Sequence, residues 1–189
     1  MKFSKLQIIL AIIVIALILY MVVPKMDEQN KKTTVLLETT KGDIKIELYD
    51  NMPVTAGNFE KLVREGFYDG IMFHRVIPGF MIQGGDPKGD GTGGPGYSIK
   101  DEFVEGSSNV RGTISMANAG PNSGGSQFFI NVADNTNLDW DKPPTQSKHP
   151  VFGIVTEGLN VVDSIANARR NHADKPVDDI QIIKARILE

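Results

Sequence analysis

Two stretches of this sequence hold the residue types that could do chemistry. Phe73–Asp86 reads FHRVIPGFMIQGGD, and Ser115–Ile130 reads SMANAGPNSGGSQFFI. Together they set one arginine, several carboxamides and a group of Phe and Met side chains into glycine-punctuated, strand-like segments. Neither stretch has acids, thiols or metal-ligating side chains arranged to break a bond. Such a set can grip a small apolar ring and polarise one amide. A guanidinium suits the polar part of that task, because it stays charged and offers a rigid fork of donors. Aromatic and thioether side chains suit the apolar part, holding a ring by dispersion and by excluding water.

Most of these residues have an ordinary structural reading when taken singly. Phe and Met in strands are usually core, and a lone arginine is usually surface. Phe128 and Phe129 are adjacent, so on a strand they must point to opposite faces. One is expected in the core and the other at an outer site. By the same alternation His74 faces away from Arg75 and reads as structural. Gly89–Gly94 (GDGTGG) fits a dinucleotide-binding spacing, but Pro95-Gly96 stands where the required helix would begin, so it reads as a loop. His74, His149 and His172 lack metal-ligand spacing. Asp86, Asp90 and Asp101 lack the spacing of a calcium loop and read as turn residues.

Both stretches, ungapped, closely resemble the cyclophilin family of peptidyl-prolyl cis-trans isomerases. The likeness extends over about Val35–Leu188. It implies that Arg75, the arginine of the F-H-R motif, is catalytic, lying along a substrate proline and favouring its pyramidal nitrogen. It implies a proline pocket of Phe80, Met81, Phe129 and Leu138 with His149 at the rim. Gln83, Asn118 and Gln127 match positions that hold the peptide backbone, and Ala117 and Ala119 are small enough for close approach of a strand-like substrate. The implied reaction is rotation about Xaa-Pro bonds in polypeptides, with no cofactor and no metal. A proline-binding chaperone or scaffold with incidental catalysis is the second reading, and a subunit of a membrane complex is the third.

The chain departs from the best-known members at Asn137, where they carry a Trp before the pocket Leu. The drug cyclosporin leans on that indole and is therefore disfavoured here. Trp140–Ser147 (WDKPPTQS) looks like an insertion between Leu138-Asp139 and Lys148-His149. Either Trp140 swings toward the pocket to replace the missing ring, or it packs locally, and the Pro143-Pro144 bend favours local packing. The position of His149 rests on the Pro150-Val151-Phe152-Gly153 that follows it.

The elements that must hold these residues are mostly short strands. Val35–Glu38 and Ile44–Leu48 flank a turn, and Ile44, Ile46 and Leu48 alternate with Lys45 and Glu47. A helix is expected over Val54–Phe67, ending near Gly66, with Pro53 at its start and Phe59, Leu62 and Val63 on one face. Apolar runs follow at Phe73–Ile77, Phe80–Gln83, Thr113–Ala117, Gln127–Val132 and Val151–Val155. A second helix is expected over Leu159–Ala168, and a final strand over Ile180–Leu188. The pattern is mainly β. It suggests a closed barrel capped by two helices, and the resemblance implies that this barrel is antiparallel and eight-stranded.

Before this domain (35–189) come a short flank (1–5), the uncharged run Leu6–Val23 and a polar tether (24–34). As a helix the run would be about 27 Å long, close to a bilayer's ~30 Å core. Lys2 and Lys5 precede it, Tyr20 lies near its end, and no small-residue cleavage site follows. The sequence thus predicts a transmembrane signal-anchor embedded in the lipid bilayer, with the catalytic domain extracytoplasmic. Secretion after cleavage is the alternative. The 189 residues carry 20 Lys and Arg against 23 Asp and Glu, for a net charge of −3, and no Cys. Without a basic tract no nucleic-acid partner is expected, disulfides are excluded, and a monomer is anticipated.

Overall fold

The computed structural model describes Ala11, Ile13 to Ile15, Leu17 and residues 32–143 and 148–188. The chain divides into two compact units, Met1–Lys32 and Thr33–Glu189. In the first, Ala11, Ile13 to Ile15 and Leu17 are helical. The expected span over residues 6–23 lies largely outside the described residues, and among these no helix is long and apolar enough to cross a membrane. The expectation of a single-pass membrane protein, with the bilayer as partner, is therefore withdrawn. The tether over residues 24–34 also falls mainly outside them.

The second unit is built on one antiparallel sheet of eight strands: β1 (Thr34–Thr39), β2 (Gly42–Leu48), β3 (Arg75–Ile77), β4 (Met81–Gly84), β5 (Thr113–Met116), β6 (Phe128–Asn131), β7 (Val151–Glu157) and β8 (Ile182–Leu188). Their spatial order is β3-β4-β6-β5-β7-β2-β1-β8. Apolar residues alternate with polar ones along β2, where Ile44, Ile46 and Leu48 are buried. The period of two puts them on one face, the inner one.

The closed barrel needs correction. The end strands β3 and β8 form no ladder with each other, so the sheet is curled but open along that seam. Its edges meet through an isolated bridge, Met72 with Gln181, and through single backbone bonds such as Phe73 N–H to the Ile180 carbonyl at 2.9 Å. The expected strand over 73–77 therefore begins only at Arg75, and that over 180–188 only at Ile182.

Helix α1 (Thr55–Arg64) packs against β7 and β8, and α2 (Leu159–Ala166) against β2, β3 and β4. Helix α1 ends near Gly66, as expected, where that glycine takes a left-handed φ of 70°, a usual helix stop. Its start has no local side-chain cap. Instead Glu102, 48 residues on, accepts the Val54 N–H at 3.0 Å and the Thr55 N–H at 2.8 Å. Phe59 carries this helix into the core, with ring centroids 4.9 Å from Tyr68, 5.4 Å from Phe128 and 5.2 Å from Phe152.

Gly85 ends β4 with φ of 84°. A Cβ there would lie 2.3 Å from the Ser126 carbonyl oxygen, inside any permissible contact. Gly85→Ala is accordingly expected to cost more than about 2 kcal/mol, from left-handed strain plus overpacking. A fall in the urea midpoint at unchanged m-value would show it, and an unchanged midpoint would contradict it.

Candidate active site

Strand register assembles the centre of the site. Arg75 on β3 lies opposite Gln83 on β4, and Gln83 lies opposite Phe129 on β6. Residues directly opposite on antiparallel strands share a face, so the three side chains form one row. The neighbouring row, Val76, Ile82 and Ile130, points the other way into the main core. Phe128 is likewise in the main core. Phe129 joins a separate apolar cluster with Met81 and Leu138, against which Phe80, Ala117 and Ile77 pack. The division expected from the Phe128-Phe129 pair is thus realised.

His149 closes this cluster. Its ring stands edge-on to Phe129, with centroids 5.2 Å apart and planes at 83°. Its Nδ1 lies 3.0 Å from the Met116 carbonyl. A carbonyl only accepts, so Nδ1 carries the hydrogen. Burial lowers the His149 pKa, more than the Met116 carbonyl raises it, so the ring is neutral near pH 7. Arg75 is exposed and makes no ion pair among the described residues. Its charge is therefore available at the edge of an apolar patch.

The amides lie on the other side of the row. Gln83 Nε2 donates to Gln127 Oε1 at 3.0 Å, and Gln127 Nε2 donates to the carbonyls of Gly91 and Gly93 at 3.0 and 2.8 Å. Asn118 Nδ2 donates to the Lys148 carbonyl at 2.7 Å. The amides that match peptide-holding positions are thus already bonded within the chain. A cavity of about 430 Å³ opens beside them, lined in part by Gln83, Ala117, Asn118, Ala119 and Gln127. Arg75, Phe80, Met81, Phe129, Leu138 and His149 are not among its lining. The expected site residues therefore fall into two groups, apolar and amide, on either side of Gln83.

The loop from Gly91 to Ser98 also lines this cavity, a role that sequence reasoning missed. Asp86 organises its start. The carboxylate is buried and accepts the N–H groups of Lys88 at 2.7 Å, Asp90 at 3.1 Å and Gly91 at 2.6 Å. Burial alone would raise its pKa, but the backbone donors, Gly93 included, outweigh that and hold it below the ordinary carboxylate value. Asn58 of α1 ties the far wall, donating to the Gly125 carbonyl and accepting from the Tyr97 hydroxyl, both at 2.8 Å. The clue in the sequence was Asp86 ahead of closely spaced glycines. Trp140 stacks on Phe103, with centroids 6.0 Å apart and planes at 20°, so its indole packs locally. Asn137 is exposed on a short 3-10 turn, Thr136–Leu138. Residues 144–147 of the insertion lie outside the described residues.

Comparison with known proteins places the fold in a family. The sequence profile described as "Cyclophilin type peptidyl-prolyl cis-trans isomerase/CLD" matches residues 34–187. A "peptidyl-prolyl cis-trans isomerase-like 1" of Gibberella zeae is 43% identical over 162 residues, covering 83% of this chain and 96% of the relative. A peptidyl-prolyl cis-trans isomerase of Synechococcus elongatus is 49% identical over 150 residues, covering 78% and 98%. The crystal structure of a cyclophilin-type isomerase from Cryptosporidium parvum superposes with a TM-score of 0.77 at 34% identity, covering 84% and 99%. A second crystal structure of that protein, obtained in the presence of the dipeptide Ala-Pro, gives 0.75. The chain belongs to the cyclophilin family and is a peptidyl-prolyl cis-trans isomerase (EC 5.2.1.8).

The histidines predict a pH dependence of stability. His74 is buried, and its Nδ1 has no hydrogen-bond partner among the described residues. Burial lowers its pKa, as it does that of His149. An unfolded histidine titrates near 6.5, so below that pH the unfolded chain binds protons that the folded chain refuses. The stabilisation is complete above about pH 6.5 and is lost as pH falls toward the folded values. Urea midpoints should therefore drop between pH 7.5 and 5, less so in His74→Phe. A midpoint that is flat over this range would contradict the assignment.

Proposed function

We propose that Arg75 is the catalytic group of this cyclophilin, and that the adjoining apolar cluster holds the substrate proline. The chemical problem is a barrier of about 18–20 kcal/mol, set by amide resonance. The two Xaa-Pro isomers differ by only about 0.5–1 kcal/mol. No covalent step is needed. The catalyst must bind the twisted amide better than either planar form, and each tenfold acceleration asks for about 1.4 kcal/mol of such preference.

The juxtaposition of Arg75, Gln83 and Phe129 in one row carries this reading. Phe129, Met81, Phe80 and Leu138 would seat the pyrrolidine ring, with neutral His149 at its edge. With the ring held, the bond twists and the nitrogen lone pair, freed from resonance, becomes a better acceptor. A guanidinium beside it donates to that lone pair only in the twisted form, so the interaction acts on the transition state. Gln83, Gln127, Asn118, Ala117 and Ala119 would guide the peptide backbone along the amide side, where the internal amide chain keeps Gln83 in place beside Arg75. The Ala-Pro dipeptide with the Cryptosporidium parvum protein supports an Xaa-Pro substrate here.

In this proposal residues 35–189 form the isomerase domain and act as a monomer. Exposed Asn137 offers a short amide where the family indole would stand, which disfavours cyclosporin.

Exchange of an Ala-Pro peptide, followed by NMR with the full-length chain, tests the assignment. Arg75→Ala should lower kcat by about a hundredfold, the scale expected when one transition-state donor is removed. Parental kcat in a folded Arg75→Ala variant would overturn the role. Loss of catalysis with retained suppression of client aggregation would mark a chaperone activity separable from isomerisation.

A further inference from the structure

The walls of the proposed proline site come from two kinds of backbone. Arg75, Met81, Gln83 and Phe129 sit on β3, β4 and β6, where ladder bonds fix them. Phe80, Leu138 and His149 lie outside the strands, so no ladder holds them. Their bonds converge on Asn109, which is wholly buried.

Asn109 reaches each of the three. Its backbone N–H and its Nδ2 donate to Asp139 Oδ1 at 2.7 and 2.9 Å, while Ser108 Oγ donates to Asp139 Oδ2 at 2.6 Å. Asp139 directly follows Leu138, whose carbonyl accepts the His149 N–H at 3.2 Å. Asn109 Nδ2 also lies 3.5 Å from the His149 carbonyl. On the other side, the Asn109 carbonyl accepts the Asn135 N–H at 2.7 Å. Asn135 Nδ2 then donates to the Phe80 carbonyl at 2.8 Å. Finally, Asn109 Oδ1 accepts from Ser115 Oγ at 2.7 Å, and Ser115 lies opposite Phe129 in the ladder. The network thus ties the loop-borne walls to the strand that carries Phe129.

We infer that Asn109 is a positioning residue for the loop-borne wall of the proline site, acting through Asp139 on Leu138 and His149 and through Asn135 on Phe80. Asp139 is buried, and a buried carboxylate is tolerated only when its oxygens are satisfied. Without the Asn109 amide, Asp139 loses a donor and the Ser115 hydroxyl loses its acceptor. The carboxylate then turns toward water and carries Leu138 with it. Apolar walls touch the ring in the planar and twisted forms alike, so slackening them weakens uniform binding. That raises KM and spares kcat. The inference rests on the proline-site reading given above.

The full-length chain and an Ala-Pro peptide test it. Asn109→Ala should raise KM about tenfold with kcat within about twofold of the parent. Asn109→Asp sets carboxylate against carboxylate, and Asp139→Asn removes the accepting charge. Each alone should raise KM. Together they rebuild an amide–carboxylate contact with its roles exchanged and should return KM to within about threefold of the parent, a coupling that a double-mutant cycle isolates. A merely structural role would lower the urea midpoint and leave KM of the folded variant unchanged, and that result overturns the inference, as does a double variant no better than the singles. If Asn109→Ala does not fold, Asp139→Asn and the exchanged pair decide by the same criteria. Arg75→Ala run alongside separates the two failures. A hundredfold loss there with unmoved KM in the Asn109 variants sinks this inference alone, whereas parental kcat there sinks the site reading beneath it.

Discussion

Phe128 and Phe129 are one peptide bond apart and belong to different apolar systems. Strand alternation forces the division, and the rest of the molecule is arranged around it. Phe128 locks into the aromatic core with Phe59 and Tyr68, so β6 cannot shift in register without expelling a ring from the interior. Phe129 is therefore held at the outer face with the rigidity of the core behind it. Arg75 and Gln83 inherit that rigidity through two successive ladders. The charge and the apolar seat are fixed relative to each other by backbone hydrogen bonds, with no need for side-chain contacts between them.

Electrostatics follows the same logic of unequal sides. The apolar side keeps a neutral imidazole against Phe129 and has the Arg75 guanidinium in the adjoining row. The amide side passes hydrogen bonds from Gln83 through Gln127 to a loop that Asp86 gathers by its own backbone N–H groups. A fixed anion under a glycine-rich loop costs little conformational strain, because Gly89 and Gly91 take the left-handed φ that the turn requires.

The strand-borne half of the site was legible in the sequence because period-two alternation is local: Arg75, Met81, Gln83 and Phe129 lie where FHRVIPGFMIQGGD and SQFFI suggest. The helix over 54–67 was legible in type and in its end near Gly66, because a glycine free to take a left-handed φ is a stop signal carried by the sequence itself. The open seam between β3 and β8 was not legible, because strand counting says nothing about whether the last ladder forms. Nor was the hub at Asn109, whose partners Asp139 and His149 lie 30 and 40 residues away in the chain. An apolar run at residues 6–23 suggested a membrane span through its length, hydropathy and flanking residues, and no helix among the described residues is long and apolar enough for one.

Glu102 joins two distant parts of the chain. Helix α1 lacks a side-chain cap of its own, and the N–H groups of Val54 and Thr55 are met by a carboxylate that lies beyond the segment running past Asp86, Gly91 and Tyr97. The start of the helix that brings Phe59 to the core is therefore completed by a residue distant in the chain, and Val54 and Thr55 have their carboxylate acceptor only while Glu102 is in place. The same bonds tie the helix start to the segment that follows the Gly91–Ser98 loop. Amide hydrogens at Val54 and Thr55 then report by their exchange on the opening of a loop nearly fifty residues downstream.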